Sequence, residues 1–319
     1  MPTACRTLLV DAFTDDPLSG NPAGVVPDAG DLTETQMQSV ARELGASETA
    51  FVRPADDALH RVRYFSPTQE VDLCGHATVA AFSLLAREGR VEPGRHEVAT
   101  NVGTVDVEIE VEAEGDGDGD AAADSAGDVT VWLTGQEPTV EFVDLDYERV
   151  GAALGIDPAA LEDVGADLAP AIASTGLPWL CLPVNFLEHL GGAAPDDDLV
   201  AAVTAEHDAA GVYAFTFDTL AAESTVHARA FAPGLGISED PVTGTAAGAC
   251  AAYLRRVEAF DDDAAYGDLR FEQGHFVDRP GHVRTRLSEE TVAVGGAAAV
   301  ALDGTLSVPD VDDDEILVA

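Results

Sequence analysis

The sequence contains no lysine. All 16 basic residues of the 319-residue chain are arginine, against 59 acidic ones, for a formal net charge of −43. Phosphate contacts need clustered cationic side chains that release counterions, so nucleic-acid backbones are excluded as partners. An anionic membrane surface is excluded on the same electrostatic ground. Cysteine is also scarce. Cys5, Cys74, Cys181 and Cys250 show neither zinc-ligand spacing nor a disulfide framework, which fits a reducing cytoplasm. No apolar run approaches the ~18 residues of a membrane span. The start, Met1-Pro2-Thr3-Ala4-Cys5, lacks the apolar core of a signal peptide, so the expected location is the cytoplasm.

Apolar residues, by contrast, are plentiful. At 46% of the chain they supply enough surface for a core, and disorder is not the reading of the high charge. Self-repulsion of this size works against a compact state at low ionic strength. At molar salt the screening length falls to roughly 3 Å and most of the repulsion disappears. Loss of lysine fits that setting, because short, hydrated carboxylates replace long apolar stems. The composition resembles that of cytoplasmic proteins of salt-in halophiles, which implies a salt-rich setting and no particular chemistry. The length predicts two domains of ~150 residues each.

Along the chain, short alternating runs are interleaved with a few helices. Residues 6–13 (RTLLVDAF) read as a strand ended by Asp15-Asp16-Pro17 and a Gly20-Asn21-Pro22 turn. Met37, Val40, Ala41 and Leu44 fall at i, i+3, i+4 and i+7 of a helix. Thr33 and Gln36 supply its capping box and Gly45 its stop. Residues 47–52 and 60–65 alternate like strands, and 102–112 and 129–133 are expected to pair as a hairpin. Between these last two lies GDGDGDAAADSAGD, residues 115–128. Alternating Asp and Gly suggest a calcium loop, but no bidentate Glu follows at loop position 12. A solvated, flexible hairpin tip is expected instead, and residues 309–319 read as an acidic tail.

A weak internal repeat carries more information. The first copy runs Phe65-Ser66-Pro67, then Asp72-Leu73-Cys74-Gly75-His76-Ala77, then an apolar helix ending near Arg87. The second runs Phe231-Ala232-Pro233, then Glu239-Asp240-Pro241-Val242-Thr243-Gly244-Thr245-Ala246, then a helix ending near Arg255. Cys74 and Thr243 hold the matching positions, 243 − 74 = 169 residues apart. Duplicated lobes facing one another across a cleft produce such a pattern.

Each copy feeds a loop into a helix N-terminus, where unpaired N–H groups and the helix dipole favour an anion. Gly75 and Gly244 let a ligand approach that backbone. Two such ends can grip a carboxylate or the charge that develops when a C–H bond loses its proton. A phosphate is the rival ligand, but the chain has neither a P-loop nor a GxGxxG stretch. For proton transfer, Cys74 is one candidate, since a helix start lowers a thiol pKa. A two-thiol racemase needs a second thiol at the matching position, and Thr243 stands there. Cys250 falls inside the second helix and reads as core packing. His76, Asp72, Asp240 and Glu48 remain as further candidates, and the residues alone do not rank them.

Four segments together resemble the phenazine biosynthesis PhzF-like family. They are Asp11-Ala12-Phe13 with residues 18–24 (LSGNPAG), residues 47–52 (SETAFV), residues 65–67 with 72–78 (FSP, DLCGHAT), and residues 239–248 (EDPVTGTAAG). The resemblance implies an α+β, diaminopimelate-epimerase-like fold. Its two pseudo-symmetric lobes each wrap a curved, mostly antiparallel sheet around a central helix, with the active site in the cleft between them. The expected lobes are 1–138, completed by a return strand at 297–308, and 139–296. The resemblance further implies an isomerase working without cofactor or metal, often as a homodimer, on a small anionic substrate.

Carried over by position, the resemblance makes Glu48 the acid/base carboxylate, with His76 and Asp240 beside it as catalytic residues. Gly75, Gly244 and Thr245 match the loops that hold the substrate carboxylate, and Asp72, Cys74 and Thr243 join them as substrate-binding candidates. Thr245 replaces the founding enzyme's serine, and Cys74 replaces a small non-thiol residue. The expected activity is a proton shift on a small carboxylic acid, with Glu48 as general acid/base. Two rivals stand beside it: an amino-acid epimerase or racemase using Cys74, and a non-catalytic small-acid-binding protein on the same scaffold.

Overall fold

The computed structural model describes residues 3–112, 128–164, 168–260, 266–288 and 290–310. The acidic stretch expected as a hairpin tip, apart from Asp128, and the tail beyond Asp310 lie outside the described residues. The first elements are β1 (Thr3–Ala12), β2 (Asn21–Val26), α1 (Glu34–Leu44), β3 (Thr49–Arg53), β4 (His60–Phe65) and β5 (Glu70–Val71). Then come α2 (Gly75–Arg87), β6 (Gly94–Thr100), β7 (Gly103–Glu112), β8 (Asp128–Thr134) and β9 (Thr139–Phe142). Next are α3 (Tyr147–Leu154), α4 (Ala159–Glu162), β10 (Ala171–Ser174), β11 (Pro178–Pro183), α5 (Leu187–Gly191), α6 (Asp197–Ala205) and β12 (Val212–Thr216). The last are β13 (Val226–Ala232), β14 (Ile237–Asp240), α7 (Gly244–Arg256), β15 (Leu269–Gln273), β16 (Gly281–Leu287), β17 (Val292–Gly296) and β18 (Ala298–Val308).

The chain divides into two compact units. Unit 1 is Met1–Leu18, Pro22–Leu133 and Ala297–Ala319; unit 2 is Ser19–Asn21 and Thr134–Gly296. In unit 1, β18 pairs antiparallel with β1 from Thr3↔Val308 to Ala12↔Ala298, with a register shift between Leu9 and Val10. The sheet continues through β2, parallel to β3, and β3, antiparallel to β4. From there β4 runs parallel to β6, and the antiparallel pairs β6–β7 and β7–β8 complete it. The short β5 sits on β4, directly ahead of α2.

Unit 2 repeats this plan. The β11–β12 pair is parallel, β12–β13 antiparallel, β13–β15 parallel, and β15–β16 and β16–β17 antiparallel. The short β14 sits on β13, directly ahead of α7. In each unit the central helix is the crossover of a parallel strand pair, and both are 13 residues long. The repeat seen in the sequence is therefore a repeated strand order.

Both central helices are apolar over nearly their whole length, as an enclosed crossover must be. Ala77 to Leu85 of α2 and Ala246 to Leu254 of α7 are all buried. Glycine gives α7 its close fit: a Cβ on Gly248 would come within 2.8 Å of Val294 Cγ2. At the edge of unit 1, α1 forms where its caps dictate. Thr33 Oγ1 accepts the Gln36 N–H (3.3 Å), Gln36 Oε1 accepts the Thr33 N–H (3.0 Å), and Gly45 (φ 68°) ends the helix. Such a box contributes about 1 kcal/mol. Burial of Met37, Val40 and Ala41 against Phe51 and Phe65 does the rest.

Several strand limits differ from the sequence expectation by one to three residues, and two of the differences have a visible cause or consequence. Strand β1 stops at Ala12 because Phe13 takes a left-handed conformation (φ 65°). Strand β3 starts at Thr49, which leaves Ser47 and Glu48 on the connection from α1. Among the described residues, no helix is long and apolar enough to cross a membrane.

Candidate active site

Glu48 owes its place to backbone geometry on both sides. The Gly45 N–H closes α1 on the Ala41 carbonyl (3.1 Å), and the Gly24 N–H holds the Glu48 carbonyl (2.9 Å) as β3 joins β2. The side chain that projects from this joint is partly shielded, 21% exposed. Gly24 is required here, since a Cβ would fall against the Thr49 side chain and 2.8 Å from Leu44 Cδ1.

Opposite it in unit 1 is the start of α2. Burial pushes the Tyr64 phenol up, so it stays a donor despite its contact with Thr78. It donates to Thr78 Oγ1 (2.7 Å), which in turn donates to the Cys74 carbonyl (2.7 Å). This chain anchors Cys74, the N-cap, and aims His76 at Glu48. His76 Nε2 lies 3.5 Å from Glu48 Oε2, and Cys74 Sγ lies 3.7 Å from the same oxygen. Cys74 Sγ is also 3.4 Å from His76 Nδ1, and Ser47 Oγ is 3.3 Å from His76 Nε2. A carboxylate, a thiol and an imidazole thus meet at one helix start. Together they can accept, hold or deliver a proton.

Unit 2 builds a corresponding loop ahead of α7. Asp240 closes β14, whose position is set by the buried Arg229. That guanidinium binds Glu239 through Nε (2.8 Å) and Nη2 (2.7 Å) and donates to the Leu190 and Ala193 carbonyls. The Asp240 carboxylate accepts Asn21 Nδ2 on Oδ1 (2.9 Å) and the Thr243 hydroxyl on Oδ2 (2.5 Å). Gln273 ties the loop together. Its Nε2 donates to the Asp240 carbonyl (2.7 Å) and Thr243 Oγ1 (3.1 Å), and its Oε1 accepts the Thr243 N–H (3.1 Å). Arg279 holds the backbone that carries Asn21, donating to the Gly20 (2.9 Å) and Ser19 (2.7 Å) carbonyls. Thr245 Oγ1 accepts Trp179 Nε1 at 3.1 Å.

One property sets the two central helices apart. The other helices of eight or more residues, α1, α3 and α6, carry a side-chain cap from Thr33, Asp146 and Asp196. Cys74 and Thr243 make no such bond. The Thr243 hydroxyl is engaged by Asp240 and Gln273 instead. First-turn N–H groups are left without a capping side chain at Gly75 and Gly244, which suits them to an anionic group.

Of the residues expected from the sequence, Glu48, Cys74 and His76 come together in unit 1. Asp240, Thr243, Gly244 and Thr245 come together in unit 2. Asp72 is exposed and takes part in none of these hydrogen bonds. Sequence reasoning missed Asn21, Gln273 and Arg279. Asn21 reads as an ordinary turn residue between glycine and proline. Gln273 ends a strand and is buried, a property its sequence neighbours do not display.

The fold and the two helix starts define a diaminopimelate-epimerase-like architecture, and comparison with known proteins narrows the class. The family model described as "Phenazine biosynthesis-like protein" (PhzC-PhzF) matches residues 10–304. The chain belongs to this family. It is 34% identical over 302 residues to the protein named "Uncharacterized isomerase YfhB" of Bacillus subtilis, covering 94% of this chain and 95% of the relative. A solved PhzF-family protein from Bacillus anthracis superposes with a TM-score of 0.85 at 28% identity, over 95% of this chain and 99% of the other. A hydroxyproline epimerase from Agrobacterium vitis shares the fold, with a TM-score of 0.57 at 14% identity, over 96% of this chain and 92% of its own.

Proposed function

We propose that the protein is an isomerase that shifts a proton on a small carboxylic acid, with Glu48 as general acid/base. The observation that carries this reading is the meeting of Glu48, His76 and Cys74 at the uncapped start of α2. Relatives named as isomerases support the reaction class. In the reading, Glu48 takes a proton from a carbon of the substrate and returns it at another position. His76 hydrogen-bonds the carboxylate and steadies its charge as the proton comes and goes. The N–H groups at Gly75 and Gly244, with the Thr245 hydroxyl, hold the substrate carboxylate, and Asp240 orients the substrate. No cofactor or metal takes part in the step. The protein works as a homodimer, which only the family resemblance suggests, in a salt-rich cytoplasm, for which the acid excess and the absence of lysine are the support.

Cys74 supports a second reading. Its sulfur lies 3.4 Å from an imidazole nitrogen and 3.7 Å from Glu48, so it can serve as the base of an epimerase or racemase. Thr243, at the matching position of the repeat, offers no second thiol, which favours the first reading.

Incubation with small carboxylic acids and amino acids in heavy water and molar salt separates the readings. The measurement is loss of a carbon-bound proton signal by NMR. Glu48→Gln is expected to lower exchange by about 10²–10⁴-fold, while Cys74→Ser retains most of it. Exchange abolished by Cys74→Ser and kept by Glu48→Gln overturns the first reading. A ligand that binds tightly and never exchanges supports a non-catalytic binding protein.

A further inference from the structure

The three side chains at the start of α2 differ in donor chemistry, and their spacing has a second meaning. Glu48 Oε2, Cys74 Sγ and His76 Nε2 form a nearly equilateral triangle, with edges of 3.7 Å (O–S), 3.9 Å (S–N) and 3.5 Å (N–O). Tetrahedral Zn²⁺ binds sulfur at about 2.3 Å and nitrogen or oxygen at about 2.0–2.2 Å, which places its ligand atoms roughly 3.3–3.6 Å apart. Contraction by a few tenths of an ångström turns the observed triangle into three vertices of that tetrahedron.

We propose that Glu48, Cys74 and His76 form a Zn²⁺-binding site with one open coordination position. A thiolate and an imidazole select zinc over magnesium and calcium, whose preference is for oxygen alone. That selectivity separates this cluster from the acidic surface around it. The imidazole turns about its Cβ–Cγ bond to aim a lone pair at the metal, as Cys74 Sγ is within reach of both ring nitrogens. Cys74 is 8% exposed and the His76 and Glu48 side chains 14% and 21%, so the cluster is sheltered but open to an entering ion.

Binding forms Zn–S, Zn–N and Zn–O bonds. The Cys74 thiol proton passes to solvent, His76 binds neutral, and water or an anion fills the fourth position. The lone pair that Glu48 would use for proton transfer is then held by the metal. Zinc is therefore an inhibitor of the isomerase, and this last consequence, unlike the binding itself, rests on the acid/base reading of Glu48.

Titration of the intact protein with Co²⁺ in molar salt tests the site without turnover. The expected result is one equivalent that gives a thiolate-to-cobalt charge-transfer band in the near ultraviolet and intense tetrahedral bands in the visible. Zn²⁺ abolishes both, and excess Mg²⁺ or Ca²⁺ abolishes neither. Cys74→Ser is expected to lose the charge-transfer band, and its Zn²⁺ affinity, measured by chelator competition, to fall by more than about 100-fold. That exceeds the roughly 10–100-fold loss typical of losing an outer partner. A native thermal transition for Cys74→Ser confirms that the variant is folded. Absence of the band in the wild type, or equal zinc affinity in wild type and Cys74→Ser, overturns the proposal. If zinc binds as described while solvent exchange proceeds undiminished, the metal site stands and the role of Glu48 falls.

Discussion

The Asn21 side-chain nitrogen lies 2.9 Å from Asp240 Oδ1, although 219 positions separate the two residues in the chain. The same amide donates to the Val242 carbonyl at 2.8 Å, and the Thr243 hydroxyl occupies the other Asp240 oxygen. Asp240 is thus held in one orientation at the start of α7. Asn21→Leu keeps the volume and removes both hydrogen bonds. It is expected to cost about 1–3 kcal/mol of stability, because the buried Val242 carbonyl loses its donor. Proton exchange is expected to fall by a further factor of about ten to a hundred in the fraction that is still folded. Urea unfolding in molar salt gives the first quantity and NMR exchange the second. Full exchange by folded Asn21→Leu means that Asp240 needs no such orientation.

Gly24→Ala tests the joint that carries Glu48. The added Cβ meets the buried Thr49 side chain and Leu44, and Thr49 is the immediate neighbour of Glu48. Overpacking of this kind costs about 1–3 kcal/mol. Leu44 is met only at the far end of a flexible side chain, so the double variant Gly24→Ala/Thr49→Ala is expected to recover most of the loss in thermal unfolding. A single variant as stable as the wild type shows that the β2–β3 pair shifts freely.

Unit 2 contains a carboxylate whose titration should be visible in acid. Burial by itself raises the Glu272 pKa. Hydrogen bonds from His227 and from the Leu220 and Ala221 N–H groups outweigh it and bring the value down to about 2, from an ordinary 4.5. A depressed carboxyl stabilises the fold above its unfolded value and loses that contribution as pH falls through its folded value. Glu272→Gln is therefore expected to be less stable than the wild type near neutrality by about 2–3 kcal/mol. The gap should narrow as pH falls from 4.5 toward 2. Urea unfolding at a series of pH values measures this, and a gap independent of pH contradicts the assignment.

What could be read in the sequence was local. Thr33, Gln36 and Gly45 mark the ends of α1 because caps act within one turn of chain. The alternation at 102–112 and 129–133 marks a hairpin because a strand's side chains report its faces. The repeat around Cys74 and Thr243 survives in residue type because both loops must turn into an enclosed helix. Ranking Glu48 among 59 acids needed the family resemblance, since nothing within a few residues of it shows that α2 lies opposite. Asn21 and Gln273 were out of reach for the same reason. Each works through a partner far away in the chain or through burial, and the strand order that creates both is a property of whole units.

The pairing of β1 with β18 has a consequence for biosynthesis. Unit 1 contains β1, which precedes unit 2 in the chain, yet its sheet lacks a full-length partner for β1 until Ala298–Val308 has been made. By then every strand of unit 2 has already been synthesised. The unit that contains Glu48 is begun before unit 2 and completed after it, so a nascent chain stalled anywhere before Ala298 carries β1 without that partner, exposed to whatever chaperone attends it.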